Sequence, residues 1–177
     1  SLPTANYCVR AFNDMGHHAE AVECDKFAEG FFSIKKTTRN KINEESLSNQ
    51  FGHFMGQLIA AKAADFQPDL ILALAQAPLT PEAIKNLKKL NVPIAFWFVE
   101  DFRTLSYWKE IASYYDYFFT IQRGEFFDEL SSIGMNNFYY LAQGCLPEVH
   151  KGINLPLGDI HQYSADVSFM GAGYYNR

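Results

Sequence analysis

The sequence predicts an α/β domain built on a doubly wound parallel sheet with helices on both faces. Three observations predict it. Short apolar runs recur at 70–75, 94–99, 117–121 and 138–141, each bounded by proline, glycine or polar residues. Segments of helical periodicity separate them, and the links between are short. This alternation is the pattern of βαβ units, whose crossovers are right-handed.

Composition agrees. The chain has 177 residues, 48% of them hydrophobic and 20% charged. That is enough for one substantial domain burying about 70% of its unfolded surface. The net charge of −5 argues against a nucleic-acid partner bound through phosphates. No window approaches ~20 uninterrupted apolar residues, so no membrane span is expected. Cys8, Cys24 and Cys145 are far apart, odd in number and without CxxC spacing. They read as free thiols of a reducing compartment, the cytoplasm, with neither a disulfide framework nor a zinc site.

The first element is a helix. Ala5, Val9 and Phe12 fall at i, i+4 and i+7, and Gly16 is placed as its C-cap. Residues 18–24 alternate and read as a strand. A parallel α/β domain opens with a strand, so the helix-first order predicts a first strand missing ahead of Ser1. Residues 25–43 are irregular and read as an exposed connection; a sharper alternative is a loop touching an anionic or sugar ligand. From 44 to 64, Leu47, Phe51, Phe54 and Leu58 form a helical stripe broadened by Met55 and Ile59. His53 in this segment reads as a packed or surface histidine.

After Pro68 and Asp69 the run at 70–75 is a buried strand, ending in Gln76 and a proline-rich turn. Thr80 before Pro81 marks a helix start, Thr80 as N-cap and Pro81 at the first helical position. The central strand follows Pro93: six apolar residues from Ile94, continuous enough to be buried on both faces. Then come a helix over 104–113, a strand over 117–121, a helix over 125–133 capped by Gly134, and a strand over 138–141. Residues 146–163 lack periodicity and read as a linker. Residues 166–170 read as one more strand, running into Gly171 and Gly173 as the opening of a second α/β domain.

In open parallel sheets, ligands bind at the C-terminal ends of the strands. Glu100 and Asp101 end the central strand there and are candidate general bases for a hydroxyl; capping the next helix or pairing with Arg103 is the structural alternative. Arg103 is a candidate anion holder. Gln76, Thr80, Gln122, Gln143 and Gly144 end neighbouring strands and could line the same polar cleft. Gly171 and Gly173 could begin a phosphate-cradling turn. His17 and His18 read as a solvent-facing turn and His150 as a loop residue with a candidate binding role. No G-x-S-x-G elbow, P-loop or HExxH motif is present.

Phe96-Trp97-Phe98-Val99-Glu100-Asp101, Tyr117-Phe118-Phe119-Thr120-Ile121, Pro147-Glu148-Val149-His150 and Asp166-Val167-Ser168-Phe169-Met170-Gly171 together resemble the CgeB-like spore-maturation proteins, glycosyltransferases of the two-domain GT-B fold. The likeness lies in their order and spacing. It implies that residues 1–160 are the Rossmann-like acceptor-side domain and that 161–177 are a linker and the first strand of a donor domain. It implies a nucleotide-sugar as substrate, no bound cofactor or metal, and a glycan or protein acceptor. Gly171, Gly173 and Arg177 would then be nucleotide contacts, Asp101 or Glu100 the base, and this stretch alone inactive. A non-catalytic glycan- or nucleotide-binding module is the rival reading, and a flavodoxin- or receiver-like domain a third. Cleft-side aromatics could pair two copies of the chain as a homodimer.

Overall fold

The computed structural model describes residues 4–75 and 77–168, apart from the Lys35 side chain. It is an α/β protein with a four-stranded, wholly parallel, Rossmann-like sheet flanked by helices. The strands β1 (Ile71–Leu74), β2 (Ile94–Phe98), β3 (Tyr117–Thr120) and β4 (Phe138–Tyr140) lie side by side in chain order. Between them come α4 (Pro81–Lys88), α5 (Trp108–Ile111) and α6 (Glu125–Ser132). Ahead of β1 are α1 (Thr4–Asp14), α2 (Ala28–Thr37) and α3 (Lys41–Phe66). The chain divides into two compact units between Gly144 and Cys145.

Register explains the core of the first unit. Ala73, Phe96, Phe118 and Phe138 are lateral neighbours on one face, and Ile94 and Phe98 project the same way. When successive strands are neighbours, right-handed crossovers place every connecting helix on one face. Accordingly Ile84 and Leu87 of α4, Trp108 and Ile111 of α5, and Phe126 and Leu130 of α6 join that row in one buried cluster. All five residues of β2 are buried, as the uninterrupted apolar run requires. On the opposite face Tyr117 and Tyr139 are 40% and 48% exposed.

Local signals set the helix ends. The Thr80 hydroxyl accepts from Ala83 N at 3.2 Å, with Pro81 opening α4. Asn40 Oδ1 caps α3 by accepting from Ile42 N and Asn43 N. Gly16 (φ +89°) and Gly134 (φ +80°) provide the left-handed turns expected of them. Gly56 lets α3 meet α4 closely: a Cβ there would lie 2.6 Å from Ala83 Cβ.

Several expectations are corrected. Residues 18–23 are not a strand. They run along α3 from its end, with His18 against Phe66 and Glu20 bonded to Lys62, toward Phe27 against Phe54. Among the described residues the segment pairs with no strand. Ile71 N and Ala75 N donate to Pro93 and Trp97 in β2's strand line, so alternation turns the N–H groups of Leu72 and Leu74 to an outer edge that bonds no described residue. An alternating pattern becomes a strand only beside another one.

Residues 25–43 are not an irregular connection. A 3₁₀ turn (Cys24–Phe27) leads into α2, because Phe27 and Phe31 pack on Phe54 and Phe51 of α3 at 6.4 and 5.6 Å. The helix expected over 104–113 is shortened to α5 and a 3₁₀ turn, Ala112–Tyr114. Its first turn is replaced by bonds from Thr104 N and Leu105 N to the Asp101 carbonyl. The second unit is not a bare linker either. It contains α7 (Leu157–Tyr163), started by the Pro156 carbonyl accepting from Asp159 N and Ile160 N. Residues 160 and 161 both lie in that helix. Asp166, Val167 and Ser168 are not in a strand; Phe169 and Met170 lie outside the described residues.

Candidate functional site

The C-terminal ends of β2 and β3 hold a hydrogen-bonded polar constellation. The chain leaving β2 passes Glu100, Asp101, Phe102 and Arg103, and Phe102 anchors it. This ring is buried and stacked on Phe126 at 4.6 Å with an 8° interplanar angle. Its N–H donates to Gln122 Oε1 at 3.1 Å, and its carbonyl accepts from Trp108 Nε1 at 3.0 Å. Gln122 is itself held, its N–H donating to the buried Thr120 hydroxyl at 3.1 Å. The end of β3 therefore fixes the loop after β2.

Asp101 turns back on this loop. Its Oδ1 accepts from Arg103 N at 2.9 Å and from Arg103 Nε at 3.4 Å. The Arg103 N–H is the largest influence on the carboxyl and, with the nearby guanidinium, holds it below the usual carboxylate range against some desolvation. An aspartate so loaded is a weak proton acceptor and an effective positioner of Arg103. The Arg103 side chain is 63% exposed, with Nη1 4.0 Å from Glu125 Oε2. Glu100, half-buried, is the other carboxylate at this strand end.

Arg123 lies in the polar run 122–125 that ends the third strand and belongs with the candidates. It follows β3, and its guanidinium lies over the Tyr140 ring of β4 at 3.9 Å, a cation–π contact. Gly124 (φ +62°, ψ −123°) makes the turn behind it in a conformation that only glycine takes readily. The polar run after the third strand points to Arg123 from sequence, whereas its stacking partner depends on the β3–β4 register. Two exposed guanidinium groups thus follow adjacent strands. Such a pair can hold an anionic group.

The other candidates divide. Thr80, six residues past the end of β1, uses its hydroxyl as the α4 cap. Gln143 and Gly144 follow β4 and are exposed. His150 lies in the second unit, where Nδ1 accepts from Leu146 N at 2.9 Å and closes its own turn. His53 lies 3.1 Å from Gln57 Nε2 and 3.9 Å from Glu82, on the helix surface. Gln76, Gly171, Gly173 and Arg177 are outside the described residues.

A groove of about 230 Å³ between α3 and α4 is lined by His53, Gly56, Gln57, Ala60, Ala83 and Asn86. Another of about 320 Å³ borders Gln67, Pro68 and Val92, at the N-terminal ends of β1 and β2. Neither is lined by Glu100, Asp101, Arg103 or Gln122. Among the described residues no group of three or more His, Cys, Asp or Glu side chains converges, the cysteines are free, and no helix is long and apolar enough to cross a membrane.

Fold and site together define a Rossmann-like α/β domain with charged and hydrogen-bonding groups at the C-terminal strand ends. No family model, curated protein or solved structure matches the chain.

Proposed function

We propose that the chain is the acceptor-side domain of a CgeB-like, GT-B glycosyltransferase that transfers a sugar from a nucleotide-sugar to a glycan or protein acceptor. The observation that carries this reading is the pinned loop after β2. It presents two carboxylates and Arg103 after β2, and Arg123 follows the adjacent β3, at the strand ends where open parallel sheets receive ligands. In the proposed reaction the acceptor hydroxyl gives its proton to a carboxylate as its oxygen bonds to the anomeric carbon. The bond from that carbon to the diphosphate breaks, and the diphosphate leaves with the electron pair.

Glu100 is the proposed base, because Asp101 is already committed to Arg103 and has a lowered proton affinity. Arg103 and Arg123 hold negative charge on the bound substrates. A donor domain, with Gly171, Gly173 and Arg177 at its opening, supplies the remaining nucleotide contacts, and the 177-residue chain is inactive without it. Turnover in the protein carrying that domain tests the roles. Glu100→Gln should lose about 10²–10⁴-fold in kcat, and Asp101→Asn less. Wild-type rates in Glu100→Gln would remove it as the base.

The engagement of Asp101 in its own turn favours a second reading, a non-catalytic glycan- or nucleotide-binding module. Ligand binding without transfer in the donor-domain-bearing protein would select it.

A further inference from the structure

We infer that the tip of the α2–α3 hairpin is a docking surface for anionic lipid membranes. Residues 35–41 carry four basic side chains and no acidic one, in a chain whose net charge is −5. Lys36, Arg39 and Lys41 are exposed, and among the described residues none has a carboxylate partner. The nearest acids in sequence, Glu44 and Glu45, open α3, where negative charge favours the helix N-terminus. Charge alone would suit any polyanion.

The apolar residues around it narrow the choice. Ile42, first past the basic run, is 78% exposed, and Phe32, one helical turn before Lys36, is 57% exposed. Neither belongs to the buried core. Basic side chains among exposed aromatic and branched ones match an interfacial membrane site: cations meet anionic headgroups while Phe and Ile enter the acyl boundary. A soluble polyanion would leave those two in water.

The tip is also a built structure. Thr37 Oγ1 donates to Ser33 O at 2.8 Å, Thr38 Oγ1 accepts from Asn40 N at 3.1 Å, and Asn40 caps α3. Behind it, α2 is fixed by Phe31 on Phe51. The surface is therefore presented before binding, and little ordering cost remains.

Vesicle co-sedimentation of the chain tests this, with phosphatidylcholine alone and with a quarter phosphatidylserine. Binding is expected only to the anionic vesicles and should weaken from 0.1 M to 0.5 M salt. Arg39→Gln with Lys41→Gln should weaken it about 25-fold, roughly fivefold for each cation. Ile42→Ser and Phe32→Ser should each weaken it severalfold with all charges kept. These positions are exposed, and unchanged circular dichroism would show that the fold survives. No binding of the wild-type chain to anionic vesicles overturns the inference. So does binding that ignores Ile42→Ser and Phe32→Ser and is displaced by soluble polyglutamate, which would assign the tip to an acidic polymer.

Discussion

The indole Nε1 of Trp108 donates to the carbonyl oxygen of Phe102 across 3.0 Å, inside the core. This bond ties the first turn of α5 to the loop that carries Glu100, Asp101 and Arg103. Trp108→Phe keeps an aromatic ring but leaves the Phe102 carbonyl without this donor. A loss of about 1–3 kcal/mol in urea unfolding is expected, together with faster amide exchange at Phe102 and Arg103. Unchanged exchange there would mean that the loop is held by Gln122 and the Phe126 stack alone.

Tyr115 predicts the opposite sign. Its ring stacks on Phe96 at 4.9 Å, but its hydroxyl is buried without a hydrogen-bond partner among the described residues. Burial, and secondarily Tyr107, pushes its pKa up. Tyr115→Phe removes the unsatisfied group and keeps the stack, so stability should rise by about 1 kcal/mol. A clear loss of stability would show that the hydroxyl is satisfied.

The α3–α4 contact depends on Gly56, where an added Cβ would meet Ala83 Cβ at 2.6 Å. Alanine is the better helix former by about 1 kcal/mol, yet Gly56→Ala should destabilise by about 1–3 kcal/mol because the helices must separate. Gly56→Ala combined with Ala83→Gly should recover part of that loss. Thermal or denaturant unfolding of the pair checks it.

Asp116 makes acid stability local. One oxygen accepts from Lys88 Nζ at 2.8 Å and the other from Ile94 N at 2.9 Å. Desolvation alone would raise its pKa, but the Lys88 and Ile94 bonds outweigh it, and the folded-state value is lowered. A lowered folded pKa stabilises the protein above the ordinary aspartate value, near 3.8, and the benefit is lost as pH falls through the folded value. Asp116→Asn should therefore cost stability at pH 7 and progressively less below about pH 4. An equal cost at both pH values would contradict the ionic contribution.

The central strand was legible because a proline followed by unbroken apolar residues has one comfortable place, the middle of a parallel sheet. Thr80 and Pro81 were equally plain, since capping depends on neighbours in sequence. Residues 18–23 misled because alternation reports a preference for pleated surroundings and says nothing of whether a partner strand is beside them. The helix α2 was hidden because its fit to Phe51 and Phe54 lies in another helix, while its basic end interrupts the apolar stripe.

At the candidate site, the strand end and its residue types could be read in advance. That Asp101 would close on Arg103 N depends on the backbone leaving β2, and the Arg123–Tyr140 stack depends on two strands ending side by side. Neither relation is a spacing in the sequence.

The most direct test of the proposed function is calorimetric titration of UDP-, GDP- and TDP-sugars into this chain and into the protein carrying a donor domain. The account predicts binding only when the donor domain is present, and weakened transfer in Arg103→Ala. Tight binding to the 177-residue chain alone, abolished by Arg103→Ala, would place the nucleotide site on the β2 loop and contradict the acceptor-side assignment.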